Sequence, residues 1–269
     1  MKASLLDRVS KSPVQKRIRR AMNHHLRFAV VLAGRLTGRG TMHQPESAAD
    51  RATLMRGLTL ILPGIEATGP CAEEMHAGLR DGHVPGAIEL FYWGIPFPEG
   101  YLRNLIDRRR NQQQAVLLAE RIRMHQDQFP HSPIHLVANS GGVGPALTAI
   151  KMLAPDRPIA GLVILAGAAS YNYDLFPVLA RCDKGVLSTY SCRDSFTLNL
   201  GTRIFGTADR ILAPSCGYQG FSFRHDKLRQ IEWAPHYGRQ CGWWGTHGTS
   251  TSREFIGRHI APWITAPCR

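Results

Sequence analysis

The chain has 269 residues, long enough for one domain with a substantial core, and 43% of them are hydrophobic and 20% charged. This composition excludes a largely disordered or collagen-like chain, and we find no internal repeat. The formal net charge of +13 is uneven, because residues 1–56 hold twelve of the 33 lysines and arginines but only three of the 20 acidic residues.

Residues 1–56 are therefore predicted to form a basic extension and linker, followed by a single domain over residues 57–269. Such an extension attracts anionic lipid headgroups or acidic partners, or it is only a solvated helical face. It carries no RNP pattern, zinc finger or paired cysteine motif, so nucleic acid is not expected as a partner.

The most apolar part of this extension is LRFAVVLAGRL, residues 26–36. Its uncharged run is too short to cross a bilayer as a helix, and the long basic region before it matches a signal peptide only weakly. We therefore expect a cytoplasmic protein that can associate peripherally with an anionic membrane surface through residues 1–56.

Six apolar segments are predicted as strands, with helical patterns between most of them. In chain order they are LTLILP (58–63), AIELFYW (87–93), PIHLVAN (133–139), IAGLVILA (159–166), GVLSTYS (185–191) and RQIEWAP (229–235). Continuous apolar runs are typical of strands buried on both faces. The sequence thus predicts an α/β fold, with a mostly parallel sheet of about six or more strands flanked by helices on both faces.

Three segments between or after these strands carry clear helix signals. NQQQAVLLAERIRMHQDQFP is predicted as a helix with Asn111 as its N-cap and Pro130 beyond its end. VGPALTAIKML is a helix with Pro145 in its first turn, and SREFIGRHIAPWI is one amphipathic helix. The interval between the fourth and fifth strands is short, so no large lid domain is expected there.

Ser140 follows the third predicted strand directly, in the sequence HLVANSGGVG. Ala138 and Gly142 flank it at two residues' distance, and a nucleophile elbow requires small residues at both positions because its turn is sharp. Ser140 is either such a nucleophile or a loop serine that opens the next helix; the strand, turn and helix around it favour the nucleophile. The N–H of Gly141 would then face a developing oxyanion.

A second oxyanion donor is expected in the loop after the first strand, ILPGIEATGP. Gly64 lets the backbone approach a substrate, and the N–H of Ile65 is the predicted donor. Glu66 either holds this loop by hydrogen bonds or is solvated. The alternative for the whole segment is an ordinary Pro-Gly turn that ends a strand.

Together these motifs resemble those of the α/β-hydrolase superfamily. LPGIEATG, VANSGG, YSCRDSF and GTHGTSTSREF are similar to its oxyanion loop, nucleophile elbow, acid turn and histidine loop, in that chain order, over roughly residues 57–265. The resemblance does not extend to the basic segment. It implies a serine hydrolase of the esterase or lipase type.

The resemblance also implies an acid and then a histidine after Ser140. Asp194 lies just past the fifth predicted strand and is the expected acid, with Asp209 as the competitor. His247 lies in a Gly/Thr/Ser-rich loop before the last helix and is the expected base. Three other histidines compete with it and are interpreted as surface or capping residues: His225, His236 and His259.

Aromatic residues near the predicted carboxyl ends of strands suggest the substrate. Trp93, Phe97 and Trp243 either wall an apolar acyl or aryl pocket or pack in the core. The Gly-rich interval that includes residues 201–223 is predicted to shape specificity.

The sequence therefore predicts hydrolysis of a small, apolar carboxylic ester through an acyl-enzyme. No cofactor or metal is expected, because NSGGVG lacks dinucleotide-binding spacing and the six cysteines are scattered, as free thiols would be. Alternatives are a thioesterase or acyltransferase with the same triad, a haloperoxidase-like or lyase use of it, and a membrane-surface or polyanion-binding protein with a vestigial site.

Overall fold

The computed structural model describes residues 49–96, 100–194, 207, 209 and 211–267. Most of the predicted basic extension, residues 1–56, lies outside this part of the chain. Its last residues are described and form helix α1, Arg51–Arg56, within the segment interpreted as linker. Asp50 caps this helix, because its Oδ1 accepts a hydrogen bond from the N–H of Thr53 at 2.7 Å.

All six predicted strands are present and form one parallel sheet. They are β1 (Leu58–Leu62), β2 (Ala87–Leu90), β3 (Ile134–Asn139), β4 (Gly161–Leu165), β5 (Val186–Tyr190) and β6 (Leu228–Glu232). Their order across the sheet is β2-β1-β3-β4-β5-β6. Because all six strands are parallel, their carboxyl ends lie at one edge of the sheet, and the loops that follow the strands gather there.

The remaining helices connect or follow these strands. They are α2 (Pro70–Asp81), α3 (Gly100–Ile106), α4 (Arg108–Gln128), α5 (Val143–Lys151), α6 (Phe176–Leu179), α7 (Cys216–Gln219), α8 (Pro235–Cys241), α9 (Arg253–Phe255) and α10 (Ala261–Thr265). The four-residue α6 is the only helix between β4 and β5, an interval that is described throughout. Among the described residues, no helix is both long and apolar enough to span a bilayer.

Helices cover both faces of the sheet, because the buried strands present apolar side chains alternately to each side. On β3, Leu136 and Ala138 belong to one core with residues of α4 and α5, whereas Val137 belongs to a second core. Met75 of α2 and Phe255 of α9 pack in that second core. Two hydrophobic layers thus hold the sheet and fix the positions of the strand ends.

The long helix α4 begins earlier than predicted. It starts at Arg108, and Asp107 is its N-cap, since Oδ1 of Asp107 accepts a hydrogen bond from the N–H of Arg110 at 3.0 Å. Asn111, the predicted cap, lies inside the helix and donates through Nδ2 to the carbonyl of Asn104. A carboxylate four residues before Asn111 therefore satisfies a free N–H group of the first turn, and the helix begins before Asn111 is reached.

The predicted C-terminal helix is interrupted. A π-helical turn, Ile256–Ile260, separates α9 from α10. Pro262 supplies no backbone N–H and its ring excludes a regular bond to the turn before it. The N–H of Ala261 bonds instead to the carbonyl of Ile256, five residues back, so the segment widens by one residue there.

Buried His135 on β3 gives the fold a specific acid sensitivity. Burial, and secondarily the charge of Lys184, lower the pKa of His135 to about 4. The unfolded chain, with an ordinary pKa near 6.5, therefore binds more protons between these values, and stability falls as pH falls through this window. Across this whole pH window the free energy of unfolding is expected to fall by roughly 3 kcal/mol.

Urea unfolding at pH 7 and pH 4.5 tests this prediction in the wild type and in His135→Phe. The variant is expected to lose less stability than the wild type on acidification. An identical loss in both proteins would show that His135 does not contribute.

Candidate active site

Ser140 lies at the carboxyl end of β3, in a short 3-10 turn over Ser140–Gly142. Its φ of +50° is in the left-handed region, which costs a non-glycine residue roughly 1–3 kcal/mol. The neighbouring strand β4 and the loop after it hold this conformation. The Ser140 carbonyl accepts from the N–H of Ala168 in that loop at 3.2 Å, and Asn139 donates through Nδ2 to the carbonyl of Leu165 at the end of β4. The turn therefore presents the hydroxyl at the sheet edge.

Gly142 packs directly against the end of β1. A Cβ at this position would lie 2.3 Å from the carbonyl oxygen of Pro63 and 2.7 Å from that of Leu62. Both atoms belong to the backbone and cannot move aside cheaply. The sequence predicts a small residue two positions after Ser140. The structure gives the reason, because the chain at the end of β1 passes directly beside Gly142.

Gly142→Ala is expected to lower the free energy of unfolding by about 3 kcal/mol, because overpacking against backbone forces β1 and β3 apart. Gly248→Ala is the matched control, since a Cβ at Gly248 would meet nothing within 4 Å. Urea unfolding of both variants measures the difference. Equal stability of the two variants would contradict the close packing at Gly142.

His247 and Asp194 complete a continuous chain of contacts with Ser140. The Nε2 of His247 lies 2.8 Å from Oγ of Ser140, and Nδ1 lies 2.7 Å from Oδ2 of Asp194. The Asp194 side chain is 5% exposed and that of His247 25% exposed, so the acid is buried while the imidazole can reach a substrate. A shielded carboxylate can fix the tautomer in which Nδ1–H donates to it and Nε2 accepts from the serine.

Local hydrogen bonds hold both partners. The N–H of Asp194 donates to the carbonyl of Ser191 at 3.0 Å, which closes the turn after β5. His247 opens a 3-10 turn over His247–Thr249, and the hydroxyl of Ser250 donates to the His247 carbonyl. Each side chain therefore stands on a short, internally bonded turn at the same sheet edge as Ser140.

The competing residues are engaged elsewhere. Oδ1 of Asp209 accepts from the N–H of Ser170 at 2.8 Å, and Oδ2 accepts from the Ser170 hydroxyl. His225 accepts from the N–H of Lys227, while His236 and His259 pack against the ring of Tyr237. Of the two acids considered, Asp194 is the one that contacts His247.

The two predicted oxyanion donors belong to neighbouring residues. A Cβ on Gly141 would lie 3.6 Å from the backbone nitrogen of Ile65, so the loop after β1 passes beside the turn after β3. The carboxylate of Glu66 holds this loop, because Oε1 accepts from the N–H of Gly64 at 3.2 Å. Burial raises the pKa of Glu66, opposed in part by hydrogen bonds and by the nearby His247.

A buried amide that the sequence analysis missed also anchors the loop. Asn104 of α3 donates through Nδ2 to the carbonyls of Ile65 and Ile95, both at 2.8 Å. Its Oδ1 accepts from the N–H of Ile95 and from Nη1 of Arg110. Nothing in the local sequence marks Asn104, since the backbone groups that its side chain bonds lie nine and 39 residues away along the chain.

Two of the three predicted pocket residues lie in the core. Trp93 is 0% and Trp243 1% exposed, so neither can wall a substrate pocket in this conformation. Nε1 of Trp93 donates to the carbonyl of Pro63 at 2.7 Å, and Trp243 packs against Phe255 with ring centroids 4.5 Å apart. The structure therefore corrects these two assignments in favour of the core alternative, with Trp93 supporting the first loop.

The third pocket residue, Phe97, lies outside the described residues. The same holds for residues 195–206, 208 and 210, which include much of the interval predicted to shape specificity. Its described part contains α7. The residue beside Trp243, Trp244, is 39% exposed and shares the segment that leads to His247.

The five described cysteines form no disulfide with one another, and three of them are poor nucleophiles. Burial raises the pKa of Cys71 and of Cys182 to about 12, and it also raises the pKa of Cys216. These thiols therefore stay protonated at neutral pH. Across the described ranges, no group of three or more His, Cys, Asp or Glu side chains could hold a metal ion.

Comparison with models of known families and with curated proteins gives no match to this chain. The geometry of the site places a serine hydroxyl, a hydrogen-bonded imidazole and a shielded carboxylate in series, and the backbone nitrogen of Ile65 lies close to Gly141, the residue after Ser140. Such an arrangement can transfer a proton from the hydroxyl to the imidazole and stabilise the negative charge that follows.

Proposed function

We propose that this protein is a serine hydrolase of the α/β-hydrolase type that cleaves a carboxylic ester through an acyl-enzyme on Ser140. The observation that carries the proposal is the pair of short contacts that join Ser140, His247 and Asp194. The sheet order and the position of Ser140 in a strained turn between β3 and α5 support the superfamily assignment.

In the proposed reaction, Nε2 of His247 removes the proton of Ser140 as Oγ attacks the ester carbonyl. The N–H groups of Ile65 and Gly141 bind the oxyanion that forms. The carbon–oxygen bond to the alcohol breaks, and the imidazolium returns its proton to that oxygen. Water, deprotonated by the same imidazole, then attacks the acyl carbon. The bond from that carbon to Oγ of Ser140 breaks, the imidazolium returns its proton to Oγ, and the acid is released.

A small apolar ester remains the proposed substrate. The two buried tryptophans no longer support this choice, but Ile65 does, because its Cγ2 lies against Gly141 at the oxyanion end of the site. The exposed face of Trp244 offers further apolar surface near His247 in the chain. No cofactor is part of the proposed reaction.

Rapid mixing with p-nitrophenyl esters from acetate to dodecanoate tests this proposal. We expect an acyl group on Ser140 in acid-quenched samples analysed by peptide mass spectrometry, and faster acylation by medium chains than by acetate. Acylation at another residue, or turnover with no acyl-enzyme on Ser140 at any time, would overturn it. A thioesterase or acyltransferase would share the acyl-enzyme but prefer a thioester donor or an alcohol acceptor over water.

Residues 1–56 are proposed to bring a cytoplasmic enzyme to anionic membrane surfaces, on the strength of their charge alone. The full chain is expected to sediment with phosphatidylserine vesicles at low ionic strength and to be released at high salt. Vesicles of phosphatidylcholine are the control. Equal binding to both lipids, or none at low salt, would contradict this role.

A further inference from the structure

The loop after β1 contains a hydrogen-bonded turn that leaves one N–H group free. The N–H of Ala67 donates to the carbonyl of Gly64 at 3.0 Å and closes the turn. In a trans peptide the carbonyl and the next N–H point in opposite directions, so the N–H of Ile65 points out of this turn. None of the hydrogen bonds among the described residues uses it. Because the Ile65 nitrogen lies 3.6 Å from the position of a Cβ on Gly141, this free N–H group lies beside the turn that carries Ser140.

The same loop is strained directly after Glu66. Ala67 has a φ of +63°, in the left-handed region, and the N–H of Thr68 donates to the carbonyl of Glu66 at 2.7 Å. A three-residue turn with a positive φ is rare, and such a conformation persists only where surrounding contacts hold it. The direction of the Ile65 N–H therefore depends on the groups that fix this loop.

The carboxylate of Glu66 binds the peptide groups on both sides of the Ile65 N–H. Its Oε1 accepts from the N–H of Gly64 at 3.2 Å, and the carboxylate also accepts from the N–H of Glu66 itself. A Cβ on Gly64 would meet both carboxylate oxygens, Oε1 at 3.1 Å, so the carboxylate lies directly against the backbone there. One side chain thus fixes the peptide before and the peptide after the one that carries the free N–H.

This position is unfavourable for a carboxylate. Glu66 is partly buried, and the ion pairs among the described residues include none between Glu66 and a lysine or arginine. Burial raises the pKa of Glu66, and hydrogen bonds from its own N–H and that of Gly64, together with the charge of nearby His247, oppose the rise. Carboxyl groups held at such a cost beside a catalytic arrangement are concentrated at functional sites.

We propose that Glu66 is a positioning residue of the candidate active site, whose carboxylate holds the Ile65 N–H in the direction of the oxyanion. This role rests on the proposed function, because it requires an oxyanion to form beside Ser140. A donor to the oxyanion acts mainly in the transition state. Loss of its direction should therefore lower kcat and leave KM nearly unchanged.

Two substitutions remove the carboxylate from the loop in different ways. Glu66→Ala deletes it, and Gly64→Ala displaces it, because the new Cβ takes the place of the flexible end of a side chain. We expect each variant to lower kcat for p-nitrophenyl ester hydrolysis roughly 100-fold, with KM changed by less than about threefold. The combined variant should be no more than about threefold slower than either single variant, since both substitutions act on one contact.

A conservative variant and a matched control accompany them. Glu66→Gln retains the shape of the side chain and one acceptor oxygen, so it is expected to lose only about tenfold in kcat. Glu73→Gln makes the same chemical change in an exposed carboxylate of α2 and should leave kcat unchanged. Urea unfolding verifies that the variants fold. If Glu66→Ala does not fold, Glu66→Gln and Gly64→Ala decide the question.

Trapping of the acyl-enzyme separates this role from the proposed function. Suppose that Ser140 of the wild type is acylated; wild-type kcat in the folded variants, or a raised KM with unchanged kcat, would then overturn the role of Glu66 alone. Additive losses in the combined variant would overturn it as well, because they would show two separate effects. If the wild type forms no acyl-enzyme on Ser140, the proposed function fails and the role of Glu66 fails with it.

Discussion

Ser140→Ala is expected to lower kcat for ester hydrolysis by roughly 10⁴- to 10⁶-fold, because the substitution removes the atom that attacks the carbonyl. The folded structure should persist, because the substitution removes the contact of Oγ with His247 but keeps the backbone hydrogen bond from Ala168 to the Ser140 carbonyl. Steady-state hydrolysis of a p-nitrophenyl ester measures the loss, and urea unfolding verifies that stability is unchanged within about 1 kcal/mol.

A second substitution distinguishes a nucleophile from a merely structural serine. If Ser140 and His247 act as one unit, Ser140→Ala combined with His247→Ala should be little slower than either single variant. Additive losses on a logarithmic scale would show that the two residues act independently and would contradict the proposed proton transfer.

Asp194→Asn is expected to lower kcat by about 10⁴-fold. An amide at this position donates to Nδ1 of His247 and so stabilises the wrong imidazole tautomer, in which Nε2 carries the proton and cannot accept one from Ser140. The geometry of the site would change little, because Asn is isosteric with Asp. The same p-nitrophenyl ester assay measures this loss.

Asp209→Asn is the matched control, because it makes the same chemical change in the competing acid. Asp209 bonds Ser170 in the loop after β4, so its variant is expected to lose stability while kcat stays within about threefold of wild type. If Asp209→Asn is the more damaging to kcat, the acid has been assigned to the wrong residue.

The sheet could be predicted because its signals are local. The inner strands β1, β3 and β4 are fully buried runs of mainly apolar residues, whereas the edge strand β6 is partly exposed and carries polar residues. The first two strands are followed by Pro63-Gly64 and by Gly94. Two-sided burial requires such runs, so the pattern and the structure have one cause. Helix boundaries were less accurate where a better cap lay just outside the pattern, as Asp107 does for α4.

The contacts among Ser140, Asp194 and His247 could be predicted from their order along the chain and from the strand ends that they follow. Asp194 and His247 each follow a strand or loop that ends at the edge where Ser140 lies, and the structure brings all three into contact. Their proposed catalytic roles remain predictions, because proximity does not measure reactivity.

The sequence does not show in the same way whether a large side chain points into the core or into a substrate pocket. Trp93 follows β2 near the functional edge, yet its ring turns into the core and bonds the Pro63 carbonyl. Asn104 shows the converse, since a polar residue of an ordinary helix reaches the carbonyl of Ile65, 39 residues earlier. Such long-range contacts depend on tertiary packing, which no local pattern encodes.

The reactivity of Ser140 is the central claim, and labelling with a fluorophosphonate probe tests it most directly. The wild-type protein is treated with the probe, digested and analysed by tandem mass spectrometry. We expect one phosphonylated residue, Ser140, no labelling of Ser140→Ala, and labelling of His247→Ala at least 100-fold slower than wild type. A wild-type protein that is not labelled, or a Ser140→Ala variant labelled as strongly as wild type, would contradict the proposed nucleophile.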